Sequence, residues 1–137
     1  MSIKNFFSTK SVSNSLASFG LLMLRTSVCA MMLPHGVQKL SNFSILSQTF
    51  NPIGIGGTLS LSLVILAEVF CSIAIILGLF TRLAAIPLII AMCVAAFVTH
   101  AGHPLAAKEL ALLYLTFFTV IFLVGPGRYS IDRLLWK

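Results

Sequence analysis

Four apolar runs of bilayer length, at about residues 16–40, 58–80, 83–100 and 104–124, leave this chain little choice of fold class. About 20 apolar residues make a helix that crosses a hydrocarbon core of about 30 Å, and in lipid each span must satisfy its own backbone polar groups. The breaks between the runs carry helix-stopping chemistry. They hold Asn51-Pro52 followed by three glycines, Gly78 before Thr81-Arg82, His100-Ala101-Gly102-His103-Pro104, and Gly125-Pro126-Gly127. The pattern predicts an all-α, polytopic membrane four-helix bundle, a single integral membrane domain over residues 1–137.

Composition excludes the water-soluble alternatives. Charged residues make up 9% of the chain and hydrophobic residues 58%, whereas soluble chains carry about 25% charged residues. A net charge of +6 would suit nucleic acid if it lay along one face. Instead Lys4, Lys10, Arg82, Arg128, Arg133 and Lys137 stand at the ends of apolar runs, the placement of topology signals and lipid-headgroup contacts. No nucleic-acid partner is expected; membrane lipid is. The other side of the predicted topology holds only Lys39 and Lys108, so both termini are expected in the cytoplasm and the protein in the cytoplasmic (inner) membrane.

Residues 1–15 read as a polar, basic leader. Val28-Cys29-Ala30 resembles a signal cleavage site, but Arg25 would interrupt the apolar core of a signal, so the first run reads as an uncleaved span. Residues 41–57 lie between spans one and two. They read as an interfacial or re-entrant segment followed by a turn. The tail from Arg128 to Lys137 reads as an interfacial anchor with Tyr129 and Trp136 at headgroup level. Cys29, Cys71 and Cys93 each fall inside an apolar run with no C-x-x-C spacing, as small buried apolar side chains would.

Charge inside the runs is costly, at least about 2.5–3.5 kcal/mol per residue on insertion scales, and so needs a use or a partner. Span one carries Arg25 and span two carries Glu68. At about 1.5 Å per residue Arg25 lies roughly 12 Å and Glu68 roughly 18 Å from the cytoplasmic ends of their spans, within an arginine's reach. The expectation is an Arg25–Glu68 ion pair inside the bundle, serving either as a structural pin or as part of a working site.

A second polar layer gathers at the opposite mouth. His35, Gln38 and Lys39 end span one, His100 and His103 end span three, and Glu109 starts span four. Polar residues belong at helix ends, so wetted termini are the plain reading. The alternative is a pocket for a small polar headgroup. His35, Glu68 and Glu109 would exchange protons with a quinone, while Arg25, Gln38, Lys39, His100 and His103 would bind it. Residues 41–57 would lie over that pocket as a lid, its glycines letting backbone approach the ligand. No H-x-x-x-H, E-x-x-H or C-x-x-C-H spacing supports haem or zinc, so no metal site is expected.

Several stretches resemble the DoxX family of small membrane proteins. They are Leu33-Pro34-His35-Gly36-Val37-Gln38-Lys39-Leu40, Leu66-Ala67-Glu68-Val69-Phe70, Leu77-Gly78-Leu79-Phe80-Thr81-Arg82-Leu83-Ala84 and His100-Ala101-Gly102-His103. Lys108-Glu109-Leu110-Ala111-Leu112-Leu113-Tyr114 and Gly125-Pro126-Gly127-Arg128-Tyr129-Ser130 follow in order, so the resemblance covers nearly the whole chain. It implies a four-helix membrane bundle and an association with quinone-linked redox work, including complexes that protect against oxidative stress. The polar positions Arg25, His35, Gln38, Lys39, Glu68, His100 and Glu109 coincide with the family's own. With no soluble domain attached, a reaction would need a partner membrane or redox protein, or a second copy of the chain. Two functions stay open at this point. One is a quinone-linked redox component; the other is a non-catalytic accessory or assembly subunit of a larger membrane complex.

Overall fold

A computed structural model describes residues 14–136. The leader, with Lys4 and Lys10, and the terminal Lys137 lie outside the described residues. Among the described residues the chain is helical, without strands. Four helices are long and apolar enough to span a membrane.

Helix α1 (Ser15–Ser41) starts where the Asn14 side chain accepts the Leu16 N–H at 2.9 Å, an N-cap, and runs through Pro34 to a close at Asn42. A short α2 (Phe43–Thr49) follows, with no buried residue. Asn51 Oδ1 then accepts the Gly56 N–H at 3.1 Å to close the turn into α3 (Gly57–Leu77). Glycine is required at position 57, because a side chain there would strike the Ser47 carbonyl of α2. Gly78, at φ +73°, ends α3 in the left-handed conformation that favours glycine. Helix α4 (Thr81–Thr99) follows after a three-residue link, carrying Pro87 inside it. Pro104 then precedes α5 (Leu105–Val124) in extended conformation. Gly125 and Gly127, at φ +89° and +78°, turn the chain into α6 (Ile131–Leu135).

The connections make successive spans antiparallel. One end of the bundle carries His35 and His100, and is called the histidine end; the other carries Gly78, Thr81 and the segment after α5, and is called the tail end. The core lies between α1, α3, α4 and α5 and is built from Val28, Met32, Ile75, Leu88, Phe118 and Ile121 among others. Outward positions such as Phe19, Leu63, Phe70, Ile90 and Leu123 are exposed and equally apolar, as helices surrounded by lipid require. Cys29 is buried, Cys71 and Cys93 are half-buried, and all three are free thiols, in keeping with an apolar filling role.

Two spans depart locally from the α-helical ladder. Residues Leu66–Cys71 of α3 and Ala95–Thr99 of α4 are π-helical, each accommodating an extra residue in its turn. Such turns are rare and occur mostly at functional sites. The first lies midway along α3, and the second ends α4 at the histidine end.

Candidate functional site

The glycine at position 36 sets the site's depth. A Cβ on Gly36 would sit 2.6 Å from Val69 Cγ2 and 2.9 Å from Glu68 Cβ, so α1 and the π turn of α3 touch backbone to side chain. That approach brings the next turn of α1 over Glu68. Lys39 Nζ donates to both carboxylate oxygens, at 2.6 Å and 2.7 Å. The carboxylate is almost wholly buried, at 3% side-chain exposure, while Lys39 keeps 28%.

Beside this pair is a cavity of about 210 Å³. Met32, His35 and Lys39 of α1, Glu68 of α3, and Met92, Ala95 and His100 at the end of α4 line it. Helix α5 supplies Ala107, Leu110, Ala111 and Tyr114. The two π turns thus deliver Glu68 and Ala95 to the same space. Tyr114, 5% exposed, meets the His35 ring edge-on at a centroid distance of 6.0 Å and stacks on Phe118 at 6.0 Å. Its hydroxyl lies within electrostatic reach of Glu68. At the outer margin His100 Nδ1 and His103 Nδ1 are 3.1 Å apart, a bond that needs one ring to donate and the other to accept. The cavity therefore combines an acid fixed by a cation, an imidazole, a phenol and an aromatic wall.

Of the residues singled out from sequence, His35, Lys39, Glu68 and His100 meet here. His103 touches the site only through His100. Gln38 is exposed and does not line the cavity. Glu109 is a correction: it lies in a separate surface hollow lined by α5 alone, with Leu105, Ala106 and Thr116. Its position on α5 puts it on the outward face, away from the face that carries Ala107, Ala111 and Tyr114. The lid expectation is a second correction. No residue of 41–57 lines the cavity; α2 packs on the first turns of α3, and Pro52 and Ile53 border a different groove between α3 and α4. Glycine serves backbone approach there, but to α2 and not to a ligand.

The Arg25–Glu68 pair is the third correction. Arg25, 1% exposed, donates through its guanidinium nitrogens to the carbonyls of Pro126 and Tyr129. It also lies in the field of Asp132. Asp132, itself 1% exposed, accepts the N–H groups of Phe80 at 2.6 Å and Thr81 at 2.9 Å, while its own N–H donates to the Gly78 carbonyl at 2.9 Å. Arg82 donates to the Leu123 carbonyl at 3.3 Å, closing the α4–α5 side. The physical reason for the miss is side-chain direction. Helical side chains lean toward their own N-terminus. On antiparallel α1 and α3 that carries Arg25 toward the tail end and Glu68 toward the histidine end.

Sequence reasoning missed two residues of consequence, Tyr114 and Asp132. Tyr114 follows Ala107 by seven and Ala111 by three, one helix face, a signal visible in the sequence. Asp132 was visible only as the tail's one carboxylate beside an α4 start that lacks an acidic residue of its own. Among the described residues no three His, Cys, Asp or Glu side chains group closely enough to hold a metal ion.

Comparison with known proteins bears on this arrangement. The DoxX family model matches residues 20–101, which include His35, Lys39, Glu68 and His100. An uncharacterized protein of Haemophilus influenzae is 36% identical over 124 residues, covering 85% of this chain and 91% of the relative. Inner membrane protein YqjF of Escherichia coli is 31% identical over 126 residues, covering 89% and 96%. No solved structure matches the chain.

Proposed function

The chain belongs to the DoxX family, and from that premise we propose that it is a multi-pass inner-membrane protein whose histidine-end cavity binds a quinone headgroup. One observation carries the reading: His35, Lys39, Glu68 and Tyr114 converge from three spans on one cavity of about 210 Å³. An apolar cavity of about 150 Å³ holds a benzene ring, so this one suits a single substituted ring with polar groups at its edge. A quinone, when bound, supplies two-electron, two-proton chemistry. The chain's own part is to bind, orient and exchange protons. Tyr114, backed by Phe118, offers the ring a flat wall. Lys39 holds Glu68 in one orientation, and His35 at the cavity edge supplies the side-chain type that ordinarily titrates near neutral pH. The His100–His103 bond extends that exchange toward the surface. On this reading both termini face the cytoplasm and the cavity lies near the opposite face, which Arg82, Arg128 and Arg133 at the tail end support.

A non-catalytic accessory subunit is the second reading, and one feature favours it. Glu109 lies on the outward face of α5, the least buried of the four spans, where a cation of another membrane chain would satisfy it.

The test is binding of a short-chain benzoquinone to the purified protein in mild detergent, wild type against His35→Gln. Glutamine keeps hydrogen bonding but removes titration and the edge contact to Tyr114. Binding should weaken by about five- to tenfold, the scale of one lost hydrogen bond and ring contact, while the protein stays folded. A folded His35→Gln protein with unchanged binding leaves the accessory reading standing.

A further inference from the structure

The cavity is walled unequally. Its α3 and α4 side is the more closed, with Glu68 2% and Met92 5% exposed and Ala95 and His100 half-buried. On the α1 and α5 side the lining residues His35, Ala107 and Leu110 are themselves exposed, Leu110 at 52%. Residues that both line a cavity and reach the surface mark its opening. Helix α5 packs chiefly on α4 and only lightly on α1, and it turns Ala107 and Ala111, one turn apart, toward the space. The side chains that would complete a wall are missing there. Depth decides what lies outside. At about 1.5 Å per residue, His35 sits about 9 Å below the end of α1 and Leu110 about 8 Å below the start of α5. An opening at that level in a spanning bundle faces acyl chains rather than water.

We propose that the seam between α1 and α5 is a lateral portal, through which a membrane-resident ring compound inserts its head while its apolar tail stays in the bilayer between Met31 and Leu110. This rests on the quinone reading and narrows it: the ligand is a tailed, lipid-dissolved amphiphile and not a water-soluble ring. Met31, 57% exposed, and Leu110 flank the exit with apolar surface that suits such a tail. A competing route exists. The groove of about 290 Å³ between α3 and α4, lined by Leu63, Val64, Ile90 and Val94, is apolar too, but none of its lining residues lines the cavity.

The experiment compares two probes, a dimethoxy-methyl-benzoquinone without a tail and the same ring with a decyl tail. Binding is measured to wild type, Met31→Ala and Met23→Ala in lipid nanodiscs. Met31 flanks the exit without lining the cavity, so alanine there removes apolar surface from the tail and leaves the ring site intact; Met23, equally exposed on α1 but lining neither the cavity nor the α3–α4 groove, is the control. Met31→Ala should weaken the tailed probe by about fivefold, equivalent to losing the burial of roughly one methylene. The tailless probe and Met23→Ala should change less than about twofold. Tailed binding unchanged in Met31→Ala, or both probes weakened alike, overturns the portal. If neither probe binds wild type, the quinone reading falls first and the portal with it. A photoreactive group on the tail gives a second measurement needing no variant. Labelling of α1 around Met31 and α5 around Leu110 supports the seam, and labelling of the α3–α4 groove overturns it.

Discussion

Lys39 and Glu68 show how a buried charge is tolerated at residue scale. The carboxylate loses nearly all its water, and two short bonds from Lys39 replace it. Coulombic attraction in a poorly screened interior offsets desolvation only while both partners remain. Removing one should therefore cost more than removing both. Lys39→Met should destabilise the protein by about 3 kcal/mol, the lower end of the range for a broken buried pair because Lys39 stays partly exposed. Lys39→Met combined with Glu68→Leu should recover most of that loss. Unfolding titrations with SDS in mixed micelles would read both. A double variant worse than the single one would mean that the pair is not the unit of stability there.

At the scale of elements, the tail end is held by a helix capped from a distance. Helix α4 starts with no side-chain cap of its own, and Asp132, some fifty residues later, takes the N–H groups of Phe80 and Thr81. Phe80 has φ +47°, a left-handed conformation rarely adopted outside glycine, and the Asp132 bond helps hold it. Close contacts at Gly78 with Ser130 and at Gly125 with Arg82 let the segment after α5 lie against three spans. The short α6 is thus a structural clasp and not only an interfacial anchor. Asp132→Ala should cost about 2–4 kcal/mol, combining a lost cap with an Arg25 left without its nearby anion. Arg133→Ala, one residue on, should change stability by less than about 0.5 kcal/mol. The same SDS titration checks both, and equal effects at the two positions would count against the clasp.

Over the whole molecule, the two ends divide the labour: a closed tail end built from backbone carbonyls and buried charge, and a histidine end that keeps an open space. On the proposed orientation, a reporter active only in the cytoplasm should work when fused after Lys137. One that needs export should work in the loop after Thr49. The reverse pattern would put the cavity on the cytoplasmic face and undo the orientation argument, though not the cavity itself.

Hydropathy and helix punctuation alone determined the four spans, their antiparallel order and the gathering of His35, Lys39 and His100 at one end. These follow from span length and the need to satisfy backbone groups in lipid, which are properties read along the chain. Which polar groups meet across the bundle was decided by tertiary structure. Arg25 and Glu68 looked matched in depth, yet side chains on antiparallel helices lean apart, so each found a nearer partner. Glu109 and Tyr114 sit within two turns of each other on α5, and the rotation of that helix alone sends one outward and the other into the cavity. The rotation is set by packing, through contacts such as Gly36 against Glu68 that pair residues far apart in the chain.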